Sequence, residues 1–461
     1  VCLLGLVIAS TAYGSPVVPM SEAGVTPITG NIILNPGDIN GGSLESIGVV
    51  ILPNGNVAAG WEDDGTSIPI SAGWVMIDSA GNFIVSQPQA YANAAGAPTA
   101  TNGGWGPKMH GNQWGDGFIF GSAFWDFAGI DHPDNWIEGL DFLVDDEPAM
   151  QLINNDGTFN GSLFLPYPLE FHEREGSIRV GDDGILSNGN IVVVGEDRQG
   201  GDGPELFGLP NADRVIIVGT CTPDGTPVAG PIAVQTADSR GEMWHGIATF
   251  EGGFGVRYAN AGINVRFFDN NLNPTTGQIL LPGTLNSGGR GDSAGFHANK
   301  KGDCVLVTGE PTCVVAVLDK LGNVKVGPIE VYEPDIEFGH GARRVDGAID
   351  EAGNFMAVWR DKSLPGMEFA DGTGVIAARF FNANGTPATP PFVVSDAIPV
   401  PFTEEWGLSA MEDNEPRVTM RDGVVAIVWQ DENMNALGVQ ELVIRLLASP
   451  FGAPVSDWSI Y

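Results

Sequence analysis

The chain has few basic residues: 21 Lys and Arg stand against 57 Asp and Glu in 461 residues, a formal net charge of −36. Nucleic acids are bound by Lys and Arg that displace the counterions of the phosphates, so this charge excludes a nucleic-acid partner. An anionic membrane surface also attracts basic segments, and it is excluded for the same reason. The hydrophobic share of 43% is nevertheless sufficient for a folded core.

Cysteine is also scarce, and none of Cys2, Cys221, Cys304 and Cys313 lies in a CxxC pair, so the spacing indicates neither zinc nor haem attachment. Cys304 and Cys313 bracket a strand-turn-strand pattern, which favours a disulfide and an oxidising compartment. Two buried free thiols are the alternative. A bond from Cys2 to Cys221 of a neighbouring copy is a further hypothesis.

No apolar run is long enough to span a bilayer, and residues 1–12 form only a short one that ends in small residues. This segment matches the apolar part of a secretory signal without its basic start. The alternative is a retained arm that lends a strand to a neighbouring molecule. The arm residues in that case are Cys2, Leu3, Leu4, Leu6, Val7 and Ile8.

Helical periodicity is almost absent, and two series of glycine turns alternate along the chain instead. The glycines of the first series are Gly55, Gly117, Gly189, Gly253, Gly302, Gly353 and Gly423. Those of the second series are Gly81, Gly157, Gly225, Gly277, Gly322, Gly385 and Gly452. Asn-Gly and Asp-Gly favour tight hairpins, so each pair of turns predicts one four-stranded unit.

Seven such units predict an all-β fold, a seven-bladed β-propeller of four-stranded antiparallel blades with an extended apolar N-terminal arm. We expect residues 1–28 to be the arm or signal remnant and residues 29–461 to be the propeller. The predicted blades span roughly 45–95, 104–170, 176–236, 240–285, 290–335, 340–400 and 412–461. Unit seven has four strand patterns of its own, the last at Ala453–Ser456, so we expect Thr26–Leu34 to pack outside the ring or to swap.

Two motifs recur within the units. The second strand tends to end in aromatic-x-acid, as in Trp359-Arg360-Asp361, and the third carries Arg and two apolar residues, as in Arg379-Phe380-Phe381. With these motifs, units six and seven resemble the propeller repeat of large secreted bacterial surface proteins. The resemblance implies a propeller fold and an extracellular setting, and it supplies no catalytic residue.

Histidines and arginines recur near the first strands, which line the channel of a propeller. His110, His245 and His297 are candidate metal ligands, with packed or solvated histidines as the alternative. Five arginines could clamp an acidic sugar as sialidase propellers do, although the Tyr/Glu pair and the Ser-x-Asp-x-Gly-x-x-Trp box of that family are missing. An Arg–Asp network between blades is the preferred interpretation. These candidates are Arg179, Arg240, Arg290, Arg344 and Arg417.

The insertion Asp126–Glu147 contains eight acids and no Lys or Arg, which suits calcium or a solvated acidic loop. The candidate calcium ligands are Asp131, Asp134, Asp141, Asp145 and Asp146. Asn160 and Asn384 begin N-glycosylation sequons in expected turns. Trp105, Trp114 and Trp136 could form a glycan-stacking platform, with core packing as the alternative.

Without a catalytic constellation, the sequence predicts a secreted structural protein, not an enzyme, without a cofactor other than Ca²⁺. Its expected partners are copies of itself, joined head to tail through the N-terminal strand into a surface layer or filament. The alternative is a glycan-binding or glycan-cleaving propeller: a lectin, a sialidase-like hydrolase or a lyase. Fold alone does not separate these functions.

Overall fold

Short strands joined by tight turns make up the computed structural model of this chain. It describes residues 17–34, 44–63, 72–89, 104–125, 146–164, 166–167, 178–198, 209, 214–236, 245–259, 262–282, 285, 294–309, 313–331, 343–361, 375–395, 416–431 and 441–452. All of the regular elements within these residues are β-strands. None of them is a helix that could cross a membrane.

Two short strands precede the first blade: β1 (Val18–Pro19) and β2 (Ile32–Ile33). Blade 1 consists of β3 (Leu44–Ile51), β4 (Val57–Asp63), β5 (Ala72–Ile77) and β6 (Phe83–Gln89). Blade 2 consists of β7 (Gly104–Gly111), β8 (Phe118–Trp125), β9 (Asp146–Ile153) and β10 (Phe159–Phe164). Blade 3 consists of β11 (Ile178–Ile185), β12 (Ile191–Arg198), β13 (Arg214–Cys221) and β14 (Pro227–Ala233).

Blade 4 consists of β15 (His245–Phe250), β16 (Gly253–Ala259), β17 (Ile263–Asp269) and β18 (Ile279–Leu280). Blade 5 consists of β19 (Ala294–Ala298), β20 (Cys304–Thr308), β21 (Val314–Leu318) and β22 (Val324–Glu330). Blade 6 consists of β23 (Arg343–Ile349), β24 (Phe355–Asp361), β25 (Val375–Phe381) and β26 (Phe392–Val393). Blade 7 contains β27 (Arg417–Arg421), β28 (Val424–Asp431) and β29 (Glu441–Ala448).

The blades form a closed ring, because the first strand of each blade contacts the first strand of the next and β27 contacts β3. Within every blade, strands that follow one another in the chain pair antiparallel. The prediction of a seven-bladed, all-β propeller is therefore confirmed. Seven hydrophobic clusters fill the seven interfaces between neighbouring blades, so the core lies between blades rather than within one.

The N-terminal segment completes the ring. Strand β2 pairs antiparallel with β29 as the fourth strand of blade 7, with Ile32 opposite Ile444. Strand β1 adds a fifth, parallel strand to blade 6 beside β26. The expectation that Thr26–Leu34 packs outside the ring or swaps is therefore wrong, and residues 17–34 seal the edges of two blades of their own molecule. The arm residues Cys2–Ile8 lie outside the described residues.

The repeated arginine of the third strand connects neighbouring blades. Arg266 donates from Nη1 to the carbonyl of Val234 at 2.7 Å, and Arg379 does so to Val331 at 2.7 Å. Each acceptor follows the last strand of the preceding blade. Because a buried carbonyl needs a partner, this contact explains why Arg recurs in strands that are otherwise apolar.

The expected disulfide between Cys304 and Cys313 is not formed, and both are buried free thiols, as is Cys221. The register of β20 and β21 explains why no disulfide forms. Cys304 lies opposite Leu318. Cys313 lies one residue before Val314, which is the partner of Thr308. The two cysteines are thus at opposite ends of the β20–β21 hairpin, about 17 Å apart along the strand, well beyond disulfide reach. Cys221 is also fully buried, so its sulfur is not accessible to the hypothesised bond with Cys2 of a neighbouring copy.

We expect reducing agents to leave the unfolding midpoint unchanged in a Cys2→Ser background. Burial raises the pKa of Cys221 to about 12 and also raises the pKa of the Cys304 and Cys313 thiols, so none presents a reactive thiolate in the folded protein. Titration with a thiol reagent should detect these three groups only after denaturation. A midpoint that falls on reduction would contradict the free-thiol assignment.

Candidate functional site

The ends of the first strands enclose a cavity of about 610 Å³ in the central channel. This volume lies within the range of small-molecule sites. Its walls come from blades 1, 2, 4, 5, 6 and 7, and they combine apolar and polar side chains. Apolar lining residues include Val49, Met109, Ile247, Ile349 and Met420, and polar ones include His110, Gln113, His297, Lys300, Glu351 and Arg421.

His110 on β7 of blade 2 faces two carboxylates of blade 3. Its Nδ1 lies 3.1 Å from Asp183 Oδ1 and 3.4 Å from Asp182 Oδ1. Asp182 also accepts a hydrogen bond at 2.7 Å from the backbone N–H of Ile247, on the first strand of blade 4. The cluster therefore links three successive blades at the channel.

These carboxylates determine the charge of the imidazole. Burial alone would lower the pKa of His110, but the attraction of Asp182 and Asp183 outweighs it and raises this pKa to about 9, with weak opposition from Lys108. Burial raises the pKa of Asp183, and His110 offsets this only in part. At neutral pH, His110 is consequently a cation on the channel wall.

His297 on β19 of blade 5 makes a similar pair with blade 6. Its Nε2 lies 2.7 Å from Asp346 Oδ1, and the other oxygen of Asp346 accepts from the N–H of Val418 at 3.0 Å. Burial would raise the pKa of Asp346, but His297, nearby Arg417 and this N–H together hold it below its usual range. An ionised, buried carboxylate thus orients a histidine that is 37% exposed.

A glycine makes room for the carboxylate in both pairs. A Cβ on Gly295 would lie 2.3 Å from Asp346 Oδ1, and a Cβ on Gly121 would lie 2.7 Å from Asp183 Oδ2. Each glycine belongs to the blade of the histidine. A histidine, an acid of the next blade and a nearby glycine therefore occur together twice in the ring, at blades 2–3 and 5–6, with Gly121 on a second strand and Gly295 on a first strand.

The turn between β7 and β8 reaches across the channel. Gln113 in this turn donates from Nε2 to the carbonyls of Ala298, at 3.3 Å, and Thr249, at 3.5 Å, in blades 5 and 4. Its Oε1 is buried without a hydrogen-bond partner among the described residues. The side chain consequently offers a cavity ligand an unused acceptor.

Trp114, next to it, donates from Nε1 to the carbonyl of Ile185 at 3.2 Å, and Lys300 Nζ lies 5.6 Å from its ring centroid. The tryptophan thus fixes the turn against blades 3 and 5. The glycan-stacking interpretation of Trp105, Trp114 and Trp136 stays a prediction, because the Trp105 side chain and Trp136 lie outside the described residues.

The structure places the three histidines on first strands, whereas metal binding by them stays a prediction. Strands β7, β15 and β19 do carry His110, His245 and His297, but His245 does not line the cavity. No group of three or more His, Cys, Asp or Glu that could hold a metal occurs among the described residues. Two of the three histidines pair with carboxylates instead.

None of the predicted arginines lines the cavity within the described part of the chain. The positive charge of Arg417 lowers the pKa of Asp346 across the blade 6–7 interface. Arg344 is half-buried, has a φ of 45° and lies where the register of β23 and β24 shifts. Arg179 lies on β11, but its side chain is outside the described residues, as are Arg240 and Arg290. Sugar binding by this series stays a prediction.

The calcium prediction also stays untested, because Asp131, Asp134, Asp141 and Asp145 lie outside the described residues and only the backbone of Asp146 is described, at the start of β9. Both sequon asparagines are exposed. Asn384 is in a turn as expected, whereas Asn160 lies on the outer strand β10.

Sequence reasoning missed the partners of the histidines. Asp182, Asp183 and Asp346 each interrupt a first strand that is otherwise mostly apolar, in the unit that follows a histidine-bearing one. That position is a usable signal, because an acid in a buried strand needs a partner from a neighbouring blade. Gln113, Lys300 and Arg421 gave no such signal, since they lie in or next to turns.

No family model and no curated protein matches the chain. Among solved structures, a protein of unknown function from Dyadobacter fermentans is 12% identical over 92% of this chain and 99% of that one, with a TM-score of 0.44. An α-L-arabinanase from Penicillium chrysogenum, solved with arabinobiose, is 12% identical over 72% and 93%, with a TM-score of 0.43. A Hadza microbial sialidase is 10% identical over 93% and 69%, with a TM-score of 0.43.

These likenesses carry no activity over to this chain. They nevertheless contradict the sequence-based prediction that it is not an enzyme, because an arabinanase and a sialidase are among the structures it resembles. The missing catalytic motifs of one propeller family were thus no ground for excluding catalysis.

Proposed function

We propose that this chain is a glycan-directed propeller that binds and cleaves a carbohydrate held in the channel cavity. The observation that carries the proposal is that His110 and His297, each paired with a carboxylate of the next blade, line one cavity together. A histidine held by a buried carboxylate is a common acid–base group in enzymes.

The composition of the wall supports a sugar as the ligand. A sugar ring presents apolar C–H faces together with hydroxyl groups that both donate and accept hydrogen bonds. Met109, Met420 and Ile247 offer apolar surface, while the free Oε1 of Gln113 offers an acceptor for a hydroxyl. An extracellular setting belongs to this proposal and is supported by the sequence resemblance to secreted surface repeats.

The filament hypothesis loses one of its three supports. It assumed a ring that seems complete without its N-terminal segment, whereas β2 is the fourth strand of blade 7. Assembly through the arm residues Cys2–Ile8 stays a prediction, because they lie outside the described residues.

Blocking the cavity should abolish the function. Thr419 on β27 lines the cavity, so we expect Thr419→Trp to fill it and to reduce binding and cleavage to background. The matched control is Thr236→Trp on an exposed outer edge, where the same ring meets solvent. Full-length protein would be incubated with neutral arabino-oligosaccharides, sialylated glycans and uronate-containing glycans, with reducing ends and bound glycan measured.

Cleavage that Thr419→Trp removes and Thr236→Trp retains supports the proposal in full. Binding alone with the same sensitivity supports a lectin and contradicts cleavage. A wild-type protein that neither binds nor cleaves any member of the panel contradicts the glycan assignment. Activity that survives in Thr419→Trp places the site outside the cavity.

A further inference from the structure

The two channel histidines lie far apart in the ring order, on blades 2 and 5, which is the largest separation that a seven-membered ring allows. In each, one ring nitrogen faces the carboxylate behind it. The second nitrogen, Nε2 of His110 or Nδ1 of His297, has no hydrogen-bond partner among the residues that the structure describes. A substrate in the cavity would thus lie between two available imidazole nitrogens.

Their surroundings differ in a way that separates their roles. His110 faces Asp182 and Asp183, whereas His297 faces Asp346 alone, and the charge of Asp346 is also offset by Arg417 and the N–H of Val418. Asp182 is the main group that stabilises the His110 imidazolium, and Asp183 adds to it although burial raises the pKa of Asp183. Pairs of titratable groups with divergent environments commonly divide the acid and base roles of one reaction.

We propose that His110 is the general acid and His297 the general base of a direct displacement at the glycosidic carbon; the inference rests on the proposed function above. His110 donates a proton to the departing oxygen as the bond between that oxygen and the anomeric carbon breaks. Water forms the new C–O bond from the opposite side, and its proton passes to the free nitrogen of His297. One water is consumed, the configuration inverts, and the two histidines exchange protons with solvent before the next turnover.

Asp346 and Asp183 are positioning residues in this scheme. Each lies at hydrogen-bond distance from one nitrogen of its histidine, which leaves the other nitrogen for a ligand of the cavity that both histidines line. Gly295 and Gly121 leave the space that these carboxylates need. The repetition of histidine, next-blade acid and glycine at two places supports a built acid–base pair rather than two unrelated contacts.

The test uses His110→Gln and His297→Gln, with His245→Gln as the matched control on a first strand outside the cavity. We expect each of the first two to lower kcat about 100-fold or more and the control to retain activity. Thermal unfolding of each variant separates lost chemistry from lost fold. The first sugar product, followed by proton NMR before it mutarotates, should have the inverted configuration.

Two further readouts keep the roles distinguishable even if a glutamine variant fails to fold. Added imidazole should restore part of the activity of His297→Ala, which a purely structural histidine would not allow. In the wild-type protein, kcat should fall above about pH 9 as His110 loses its proton.

Wild-type cleavage that persists in both His110→Gln and His297→Gln would overturn the acid–base pair while leaving the proposed function standing. A product that retains its configuration would overturn direct displacement. A wild-type protein that cleaves no glycan would overturn both proposals together.

Discussion

Replacing Gly117 by alanine is expected to destabilise the propeller by about 3–5 kcal/mol, because two unfavourable effects coincide there. Gly117 has a φ of +85°, which L side chains rarely adopt, and a Cβ at this position would lie 2.1 Å from the carbonyl oxygen of Ile153. That oxygen belongs to strand β9 and cannot rotate away as a side chain could. The backbone at the β8–β9 end of blade 2 must therefore move.

Gly189 supplies the matched control. Its φ of +86° is almost the same, but nothing lies within 4 Å of the position of its Cβ. We therefore expect Gly189→Ala to cost only the backbone strain, about 1 kcal/mol. Denaturant unfolding of both variants measures the difference, and equal losses would show that the contact with Ile153 relaxes freely.

Loss of the proposed glycan cleavage should accompany the stability loss in Gly117→Ala. The turn that this glycine closes carries Gln113 into the cavity, and Gly117 N donates to Asn155 Oδ1 at 2.8 Å. A shift of the turn therefore moves one wall of the cavity. Gly189 lies in an exposed turn of blade 3 and should leave the cavity unchanged.

The glycine turns made the fold predictable because they report backbone conformation directly. Gly55, Gly81 and Gly157, for example, all have φ values above +80° in hairpin turns. The prediction misplaced one turn, at Gly277 in blade 4. There Leu272 takes the left-handed conformation with a φ of 62° at the turn Asp269–Asn273, and a leucine gives no turn signal in the sequence.

Ring closure was not predictable from local pattern. A strand signal follows the glycine turn at Gly452, so unit seven looked complete by itself. The strand that pairs with β29 is instead β2, more than 400 residues earlier in the chain. Two strands so far apart in the chain pair only because the ring closes, and a local sequence pattern does not report such a contact.

The candidate site was predictable in part for the same reason. A histidine on a first strand could be placed on the channel wall, since first strands line it. The charge and orientation of the histidine could not be predicted, because the carboxylate that sets them belongs to the next blade. This carboxylate is Asp183 for His110 and Asp346 for His297. The cavity is thus a product of the interfaces between blades, and the same contacts that connect the blades set the charges of its walls.

The contact of His110 with the carboxylates of blade 3 predicts that the stability of the protein depends on pH. His110→Gln should remove this dependence. The pKa of His110 is about 9 in the folded protein and about 6.5 as a free side chain, so the folded state holds an extra proton between these values. Its stabilising contribution is fully present below about pH 6.5 and is lost as pH rises through about 9, with an upper limit of about 3 kcal/mol for this shift.

Unfolding free energies measured between pH 6 and 10 should therefore fall in the wild type and stay flatter in His110→Gln. The groups that face His110 are Asp182 and Asp183 on blade 3 and Lys108 on its own strand. Asp224→Asn is the control, because hydrogen bonds from Thr222 and Thr226 lower the pKa of this exposed carboxyl and move its titration to acid pH. If the unfolding free energy falls equally with pH in His110→Gln and in the wild type, other groups cause the loss of stability at alkaline pH. His110 would then lack the raised pKa that keeps it protonated for its proposed role as a general acid.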